Sequence, residues 1–418
     1  MKKTLALLLL LAGLSVEAHG KELYWAGENE AVWDEHTTNW RDAFGNAQSY
    51  KDGDAVNFLG TEAGAVTVQL AGTLKPLSVV VSFTDPEHSF TFAWYGNLSG
   101  DMCLRMVSLG KLIISTENFY RGGTRLDSGT LVTNNRNALG YGLVQLVGGV
   151  LQLNGYTLSN SVTITGPQTT LGGGTLNGTL TMEERSGLTL LEDTKISGAI
   201  SLAEGATLNL GKNTISGSVT LSGSATIGNG TVEGGLTVAD NKSLVLLANT
   251  TVTGGVSLGA QSTLNLGGNT FHTGGEGGSQ VTFSGDATVS NGTLVLDSDW
   301  SPGYALTFTD ITLDLNKHTL SKPVTLVGNN AIGNGTLNTY LNVGEGDTLT
   351  LCGNLDGQQN HDDKIILGNN ATLDLNNHSY AGTIYGPDYD DSGTISATIG
   401  NGTLDCYLLT WQLNTTVL

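Results

Sequence analysis

The ten residues TLNLGKNTIS, at positions 207–216, decide the fold of this chain. Leucine alternates with polar residues, so Leu208 and Leu210 point to one side of an extended strand while Thr207 and Asn209 point to the other. A strand with one apolar side is stable only when another element covers that side. The segment therefore predicts a half-buried β-strand that ends in a turn containing glycine.

The same phrase recurs along the chain. Copies of it begin at Thr207, Thr263, Thr312 and Thr372, with a shorter relative at Leu151. The aligned leucines are 57, 56, 49 and 60 residues apart. Two other phrases, ATIGNGTV from Ala225 and LTLLEDTKISGAISL from Leu188, recur between these copies. Since three phrases share one period, each occupies about 18–20 residues, which is one coil of a repeat protein rather than an independent domain.

Coils of this length predict a parallel β-helix. Stacking them at about 4.8 Å is expected to place each leucine on the leucine of the next coil, and each buried leucine contributes on the order of 1.5–3 kcal/mol. The Asn-Gly and Gly-Gly pairs between strands are expected to supply positive φ at the corners. The uneven spacing favours a right-handed helix with variable loops over a left-handed hexapeptide helix. We predict an all-β, right-handed parallel β-helix for residues 108–418.

Residues 19–107 differ from this pattern because they are rich in aromatic side chains. We predict that they form a cap, together with the first strands, which closes the open end of the first coil. A platform that stacks on sugars is the functional alternative. For that alternative Trp25, Trp33, Trp40 and Trp94 are the candidate glycan contacts.

The first residues have the pattern of a secretory signal. Lys2 and Lys3 form the charged region, residues 4–16 are apolar, and residues 16–18 form a small-x-small cleavage site. We predict a signal peptide of residues 1–18 and an exported mature chain. No later apolar run has the length of a membrane-spanning helix, so no transmembrane segment is expected after signal removal.

The charge balance limits the partners. Basic residues number 18 and acidic residues 38, which gives a net charge of −20. A surface this acidic repels the phosphates of nucleic acids and anionic lipids. Solubility is the simplest role for the acidic residues, and capture of cations is the alternative.

The three cysteines are widely spaced and odd in number, which argues against a disulfide framework. Cys352 and Cys406 could pair, but free thiols are favoured.

Candidate catalytic groups are few. Acids lie close together at Glu183 with Glu184, at Asp362 with Asp363, and at Asp388, Asp390 and Asp391. Each group lies in a turn-like segment, where solvated acids are expected more often than the paired acids of a glycosidase. No nucleophile, zinc or phosphate-loop motif occurs.

Two sets of polar residues follow the repeats. Asp314 and Asp374 align with Asn209 and Asn265, which indicates an outward polar stack rather than catalysis. The histidines at 318, 361 and 378 could bind a metal, although lone surface histidines are the more common case. We predict no cofactor and no metal.

One stretch resembles a known family. Residues 110–158 follow the pattern of the autotransporter-associated β-strand repeat, G-x-L-x-x-S-x-x-N-x-Y-x-G-G-T, then G-T-L, then N-A-L-G. The matching residues are Gly110, Leu112, Ser115, Asn118, Tyr120, Gly122, Gly123, Thr124, Gly129, Thr130, Leu131, Asn137, Ala138, Leu139 and Gly140. The start of the chain is also similar to the opening of such proteins, at Trp25, Gly27, Trp33, Asn39, Trp40, Gly53, Asp54 and Phe58.

The resemblance implies a β-helical passenger that is displayed on, or released from, a bacterial surface, and it lends no catalytic residues. The sequence ends WQLNTTVL without room for the membrane barrel of an autotransporter, so a stand-alone exported protein or a truncated relative is expected. We predict a non-catalytic structural or adhesin-like protein located outside the cell, at its surface or in the periplasm. Its expected partners are glycans or other surface proteins, and not nucleic acids. The alternative is a carbohydrate-binding or carbohydrate-active β-helix, such as a lyase or glycosidase.

Overall fold

The computed structural model describes residues 20–27, 30–61, 64–247, 250–272, 281–357, 364–386, 396–409 and 414–417. Contacts group the chain into unit 1, Met1–Asn177, and unit 2, Gly178–Leu418. The predicted signal peptide lies outside the described residues, and the predicted boundary after residue 107 stays a prediction. The described residues contain no helix. Accordingly, they include no apolar helix of the length that a membrane crossing requires.

Unit 1 consists of short strands. They are β1 (Glu22–Trp25), β2 (Val32–Trp33), β3 (Trp40–Arg41), β4 (Ala47–Gln48), β5 (Ala55–Gly60), β6 (Gly64–Leu70), β7 (Thr73–Leu74), β8 (Ser78–Phe83), β9 (His88–Ala93), β10 (Asn97–Leu98), β11 (Cys103–Met106), β12 (Lys111–Ile114), β13 (Thr124–Leu126), β14 (Thr130–Thr133), β15 (Val144–Leu146), β16 (Gly149–Gln152), β17 (Thr157–Leu158), β18 (Val162–Ile164), β19 (Thr169–Gly172) and β20 (Thr175–Leu176).

Each coil of unit 1 contributes to three faces. The first face stacks β1, β5, β8, β11, β13, β15 and β18 in parallel. The second face stacks β2, β6, β9, β12, β14, β16 and β19, also in parallel. The third face holds β7 with β10 and β17 with β20. Inward leucines, valines and isoleucines of all faces form the core.

The aromatic segment closes the beginning of unit 1. There β1 pairs in parallel with β5 but antiparallel with β3, and β3 pairs antiparallel with β4. This hairpin carries Trp40 into a cluster with Trp33, Tyr50 and Phe58, all four fully buried. The aromatic-rich cap that the sequence predicts is therefore confirmed, and its core is made of packed rings.

The repeat residues of unit 1 play structural roles. Asn118 is fully buried; its Oδ1 accepts a hydrogen bond from the backbone N–H of Leu98 at 2.8 Å, and its Nδ2 donates to the carbonyl of Ala138 at 2.7 Å. It thus joins three consecutive coils. Tyr120 is also fully buried, with its hydroxyl 2.7 Å from Oγ1 of Thr124. The family-like motif therefore specifies the coil and offers no exposed site at these two positions.

Unit 2 continues with strands of the same kind. They are β21 (Leu180–Met182), β22 (Gly187–Leu190), β23 (Lys195–Ile196), β24 (Ile200–Leu202), β25 (Thr207–Asn209), β26 (Thr214–Ile215), β27 (Val219–Leu221), β28 (Ala225–Gly228), β29 (Gly230–Val232), β30 (Leu236–Val238), β31 (Ser243–Leu246), β32 (Thr250–Val252), β33 (Val256–Leu258), β34 (Ser262–Asn265), β35 (Thr270–His272), β36 (Val281–Phe283), β37 (Ala287–Val295), β38 (Leu306–Asp314), β39 (Thr319–Leu320), β40 (Val324–Val327), β41 (Asn329–Gly333), β42 (Gly335–Leu337), β43 (Tyr340–Val343), β44 (Thr348–Leu351), β45 (Leu355–Gly357), β46 (Lys364–Leu367), β47 (Thr372–Asp374), β48 (Ser379–Tyr385), β49 (Ser396–Gly400), β50 (Thr403–Leu409) and β51 (Asn414–Val417).

The strands of unit 2 also pair in parallel. The first face stacks β21, β24, β27, β30, β33 and β36. The second face runs through β22, β25, β28, β31 and β34 to the first half of β37. The third face includes β23, β26, β29 and β32, and later β35 with the second half of β37. Parallel strands in both units confirm the predicted all-β parallel β-helix.

The repeated phrases of unit 2 do not stay on one face. The phrases at Thr207 and Thr263 belong to β25 and β34 of the second face. The phrase at Thr312 lies in the second half of β38, where Leu313 stacks on Leu294 of the third face. The phrase at Thr372 follows it in the same column through β41, β44 and β47. The expectation that all these leucines stack in one column is therefore wrong.

The displacement arises between β37 and β38. Residues 297–305 contribute only an isolated bridge, Trp300 to Leu320, to the sheets, and β38 then begins on the second face. The phrases at Thr312 and Thr372 consequently lie on the third face instead of the second. The spacing of 49 residues in the sequence, against 56 and 57 before it, marks this point. The 49 residues therefore span two coils plus one face, rather than three coils of which one has a shorter loop.

Candidate binding surface

The four tryptophans predicted as glycan contacts occupy different environments. Trp33 and Trp40 are fully buried, with ring centroids 5.3 Å apart. Trp25 is half-buried, and its ring lies 5.0 Å from that of Trp40 and 5.4 Å from that of Phe58. Trp94 is 50% exposed. Buried rings present no face to a ligand, so Trp94 is the candidate whose exposed ring could contact a glycan. That contact stays a prediction.

Trp94 lies at the corner that follows β9, with its backbone at a φ of 89°. Its ring lies 4.3 Å from that of Tyr95, which is 71% exposed. A bulky residue rarely adopts positive φ, because its Cβ then crowds the backbone. This corner therefore holds two adjacent aromatic rings at the surface in a conformation that the local sequence does not favour.

More exposed aromatic side chains lie along the third face of unit 1. The N–H of Phe119 donates to the carbonyl of Leu98, and the N–H of Tyr141 donates to the carbonyl of Tyr120, each at 2.8 Å, so consecutive coils carry them. The rings of Phe119 and Tyr141 are 6.1 Å apart, and Tyr141 is 60% exposed. Sequence analysis missed both residues, because each stands beside a motif residue that is itself buried.

Exposed large hydrophobic side chains are concentrated in unit 1. In the part of the chain that the structure describes, unit 1 has nine and unit 2 has four. Those of unit 1 are Phe44, Leu77, Trp94, Tyr95, Leu109, Phe119, Tyr141, Leu143 and Tyr156; those of unit 2 are Leu247, Tyr304, Val327 and Tyr340. Two pairs of these rings are in contact, Trp94 with Tyr95 and Phe119 with Tyr141, and contiguous exposed apolar side chains are typical of an interaction surface.

Next to the aromatic corner runs a short line of polar side chains, here called the polar ladder: Ser115, Asn134 and Asn154. They follow β12, β14 and β16 at the same corner of three consecutive coils. Nδ2 of Asn134 donates to Oγ of Ser115 at 3.2 Å, and Nδ2 of Asn154 donates to Oδ1 of Asn134 at 2.9 Å. Both asparagines are exposed, so their remaining polar groups face solvent.

In unit 2 the polar residue of the repeated phrase makes a turn. Oδ1 of Asn209 accepts the N–H of Gly211 at 3.0 Å and Nδ2 of Asn229 at 3.2 Å. Asp314 accepts the N–H of Asn316 at 2.9 Å in the same way. An asparagine oxygen and a carboxylate oxygen are thus interchangeable here. These contacts agree with an outward polar stack and give the aspartate a structural role.

The titratable groups do not assemble into a reactive site among the described residues. Glu183 and Glu184 are exposed in a turn, and the other predicted acid clusters lie outside the described residues, as does His361. Nδ1 of His318 is 3.7 Å from Oδ1 of Asp299, a single acid. No group of three or more potential metal ligands occurs in the described ranges.

The two thiols that can be placed are free. Cys103 is an exposed residue of the first face of unit 1, but its thiol is partly shielded from solvent, which raises its pKa. Cys352 is half-buried; burial, and then the nearby Asp314 carboxylate, raises its pKa to about 11. Thiols with raised pKa values are poor nucleophiles at neutral pH. The side chain of Cys406 lies outside the described residues.

The two units differ in charge. Unit 1 has 11 basic and 15 acidic residues, whereas unit 2 has seven and 23. In unit 1, Nε of Arg105 and Nε of Arg125 both contact the carboxylate of Asp127, at 2.7 and 2.6 Å. Arg125 also donates to Gln145 at 2.8 Å. Two of the few cations are therefore engaged by their own surface, which leaves little positive charge for an anionic partner.

The chain is similar in sequence to a known adhesin. No protein-family model matches the chain. Over 198 residues, 43% of the chain, it is 29% identical to the adhesin BmaC autotransporter of Brucella suis biovar 1 (strain 1330), and the chain spans 6% of that protein's length. The crystal structure of the Haemophilus influenzae Hap adhesin aligns with 97% of this chain and 69% of its own, at 11% identity and a TM-score of 0.32, too low to support an argument. Sequence similarity to an autotransporter adhesin, together with parallel β-solenoid coils in each unit, confirms the resemblance to autotransporter passengers that the repeat motif indicated.

Proposed function

We propose that this chain is an exported, adhesin-like β-helical protein of the bacterial surface, without catalytic activity. The observation that carries the proposal is the concentration of exposed aromatic and aliphatic side chains on unit 1. Its aromatic side chains include two ring pairs, Trp94 with Tyr95 and Phe119 with Tyr141. The similarity to an autotransporter adhesin supports the same role. Since the chain spans only a small share of that relative, the activity of the whole relative enters here as a proposal.

A binding role also suits the scaffold. Coils that pair through backbone hydrogen bonds hold outward side chains at fixed intervals. Glu183 and Glu184, the one predicted acid pair that can be placed, lie exposed in a turn. Both carboxyl groups face solvent there, whereas the two acids of a glycosidase flank the scissile bond of a bound sugar. The proposal therefore excludes hydrolysis and predicts that polysaccharides gain no new reducing ends when incubated with the full chain.

Attachment of coated beads tests the adhesive role. Beads that carry the full chain are expected to attach to epithelial cells or mucin more than albumin-coated beads do. The variant Tyr95→Ser/Phe119→Ser/Tyr141→Ser is expected to lose most of this attachment, because it removes three exposed rings of unit 1. Tyr304→Ser/Tyr340→Ser, which removes two exposed rings of unit 2, is the matched control and is expected to attach normally. Attachment no greater than that of albumin would refute the proposal.

A further inference from the structure

The backbone at the corner that holds Trp94 is strained. A bulky residue at a φ of 89° carries strain of about 1–3 kcal/mol. In this conformation half of the indole is exposed beside Tyr95. Strained residues of this kind cluster at ligand-binding and active sites. By the register of β9, β12, β14 and β16, the positions equivalent to Trp94 in the next three coils are Thr116, Asn135 and Gly155, so the exposed tryptophan is specific to this coil.

The polar ladder continues from this corner along the stacking direction. Ser115 follows Ile114, which pairs with Phe92 of β9, and Asn134 and Asn154 follow in the next coils. Three coil spacings of about 4.8 Å separate the aromatic corner from Asn154, a length on the order of 14 Å. Tyr156, 38% exposed, lies two residues beyond Asn154. Ser115 stands opposite Ala93, so an aromatic side chain lies beside each end of the ladder, Trp94 one residue beyond Ala93 and Tyr156 two residues beyond Asn154.

This combination matches the chemistry of a sugar chain. The apolar face of a pyranose stacks on aromatic rings, while its hydroxyls exchange hydrogen bonds with amide and hydroxyl side chains. The spacing between coils is similar to the length of one pyranose ring. Ser115, Asn134 and Asn154 are uncharged, and the charged residues that follow the first two of them, Glu117 and Arg136, have opposite signs; the Glu117 carboxylate also accepts a hydrogen bond from Nδ2 of Asn137 at 2.7 Å. An uncharged sugar chain thus fits better than a sulfated or uronic one.

We propose that the column formed by Trp94, Tyr95 and the polar ladder binds an extended, uncharged oligosaccharide that runs along the stacked coils. This inference rests on the proposed adhesive function and names the ligand class of its surface. Trp94 and Tyr95 stack on one sugar ring, and Asn134 and Asn154 hydrogen-bond to the rings that follow.

A glycan array probed with the full chain tests the ligand class. Binding to uncharged oligosaccharides of three or more sugars is expected, with weak binding to single sugars. The best array ligand is then titrated while tryptophan fluorescence is followed. Trp94→Ala is expected to weaken binding by about tenfold or more, as loss of a central aromatic contact does, and Asn134→Ala by several-fold. Phe44→Ala removes an exposed ring at 91% exposure that lies off the column, and it is the matched control.

The outcomes separate this inference from the adhesive function. Binding that is lost in Trp94→Ala and Asn134→Ala but kept in Phe44→Ala supports the column, provided that thermal melting shows all three variants folded. Array binding confined to sulfated or uronic glycans overturns the inference, and so does equal affinity of wild type and Trp94→Ala. Beads that attach to cells while no glycan binds overturn the ligand class alone. Beads that do not attach overturn the adhesive function itself.

Discussion

At the scale of single residues, the Asn-Gly pair of one repeated phrase fits against the second leucine of the phrase in the preceding coil. In unit 2 the positive φ belongs to the asparagine, 62° at Asn334, and not to Gly335. The glycine is needed for space, because a Cβ there would lie 2.4 Å from Cβ of Leu315 in the preceding coil. Gly230 stands against Leu210 in the same way, at 2.5 Å. The positive φ expected of the Asn-Gly pair thus lies on its asparagine, and the glycine makes room for the second leucine of the phrase.

Gly335→Ala should therefore destabilise unit 2. The added methyl group overlaps Leu315 and the carbonyl of His318, and overpacking of this kind costs about 1–3 kcal/mol. Gly303→Ala is the control, since nothing lies within 4 Å of its added Cβ. Urea unfolding followed by circular dichroism measures both. Equal midpoints for the two variants would contradict the steric explanation.

The turn at Asp314 gives a second prediction. Its Oδ1 accepts hydrogen bonds from the N–H of Asn316 at 2.9 Å and from Nδ2 of Asn334 at 3.1 Å. Asp314→Ala removes the acceptor and should lower the free energy of unfolding by about 1 kcal/mol. Asp314→Asn keeps an oxygen in place and should change it little, as Asn209 fills the same position in its own coil. A large loss in Asp314→Asn would mean that the charge matters.

Cys352 should react slowly with thiol reagents. Burial and the Asp314 carboxylate raise its pKa from 9.0 to about 11, so the folded state favours the thiol over the thiolate. The resulting stabilisation is fully present below pH 9 and is lost as the pH rises through 11. In a Cys103→Ser/Cys406→Ser variant, the labelling rate of the folded protein should rise up to about pH 11. In urea the rate should level off near pH 9, and the same pH for both states would refute the shift.

At the scale of elements, the segment 297–305 determines where the later phrases lie. Trp300 is its anchor: its N–H donates to the carbonyl of Thr319 at 2.8 Å, and its ring stacks on Phe308 at 6.2 Å. It also faces Phe283, the last residue of β36, at 6.0 Å. Trp300 therefore covers the end of the first-face strands and supports β39, which follows it in that column.

Trp300→Ala should weaken this junction. Loss of the two ring contacts is expected to cost about 2 kcal/mol and to lower hydrogen-exchange protection in β36 and β39 first. Tyr304→Ala, in the same segment but 45% exposed, is the control and should leave exchange unchanged. Uniform loss of protection along unit 2 would show that the segment is not a local anchor.

At the scale of the whole molecule, stability is expected to pass from coil to coil. Each strand contacts its neighbours above and below, so a defect acts most strongly on adjacent coils. Trp33 lies in the cap cluster with its ring 5.6 Å from Tyr50, 5.4 Å from Phe58 and 6.1 Å from Phe92. Such a ring closes the first coils and links the cap to the strands that follow.

Trp33→Ala should therefore destabilise the beginning of unit 1 by about 3–5 kcal/mol, the usual cost of emptying a buried aromatic site. Hydrogen exchange should rise most in β5, β6, β8 and β9 and least in β18 and β19. Phe44→Ala, at an exposed position of the same cap, is the control. An equal rise in all strands of unit 1 would instead indicate one cooperative unfolding step.

Much of this protein could be predicted from local pattern. Alternation in segments such as 207–210 specifies a strand and its inward side, because successive side chains of an extended chain point in opposite directions. Recurrence of the phrases specifies parallel stacking, since one coil cannot bury its apolar side alone. The motif residues Asn118 and Tyr120 also revealed the family resemblance, although their buried, structural role is visible only in the folded coils.

The sequence by itself determined the strands, the coil and the kind of solenoid. Only the tertiary structure decided on which face the phrase at Thr312 lies, and which tryptophans remain exposed. The face depends on the summed length of every preceding turn and loop, which local alternation does not contain. Exposure depends on which coil stacks against a ring, so Trp33 and Trp94 were both candidate glycan contacts, although one is buried and the other is 50% exposed.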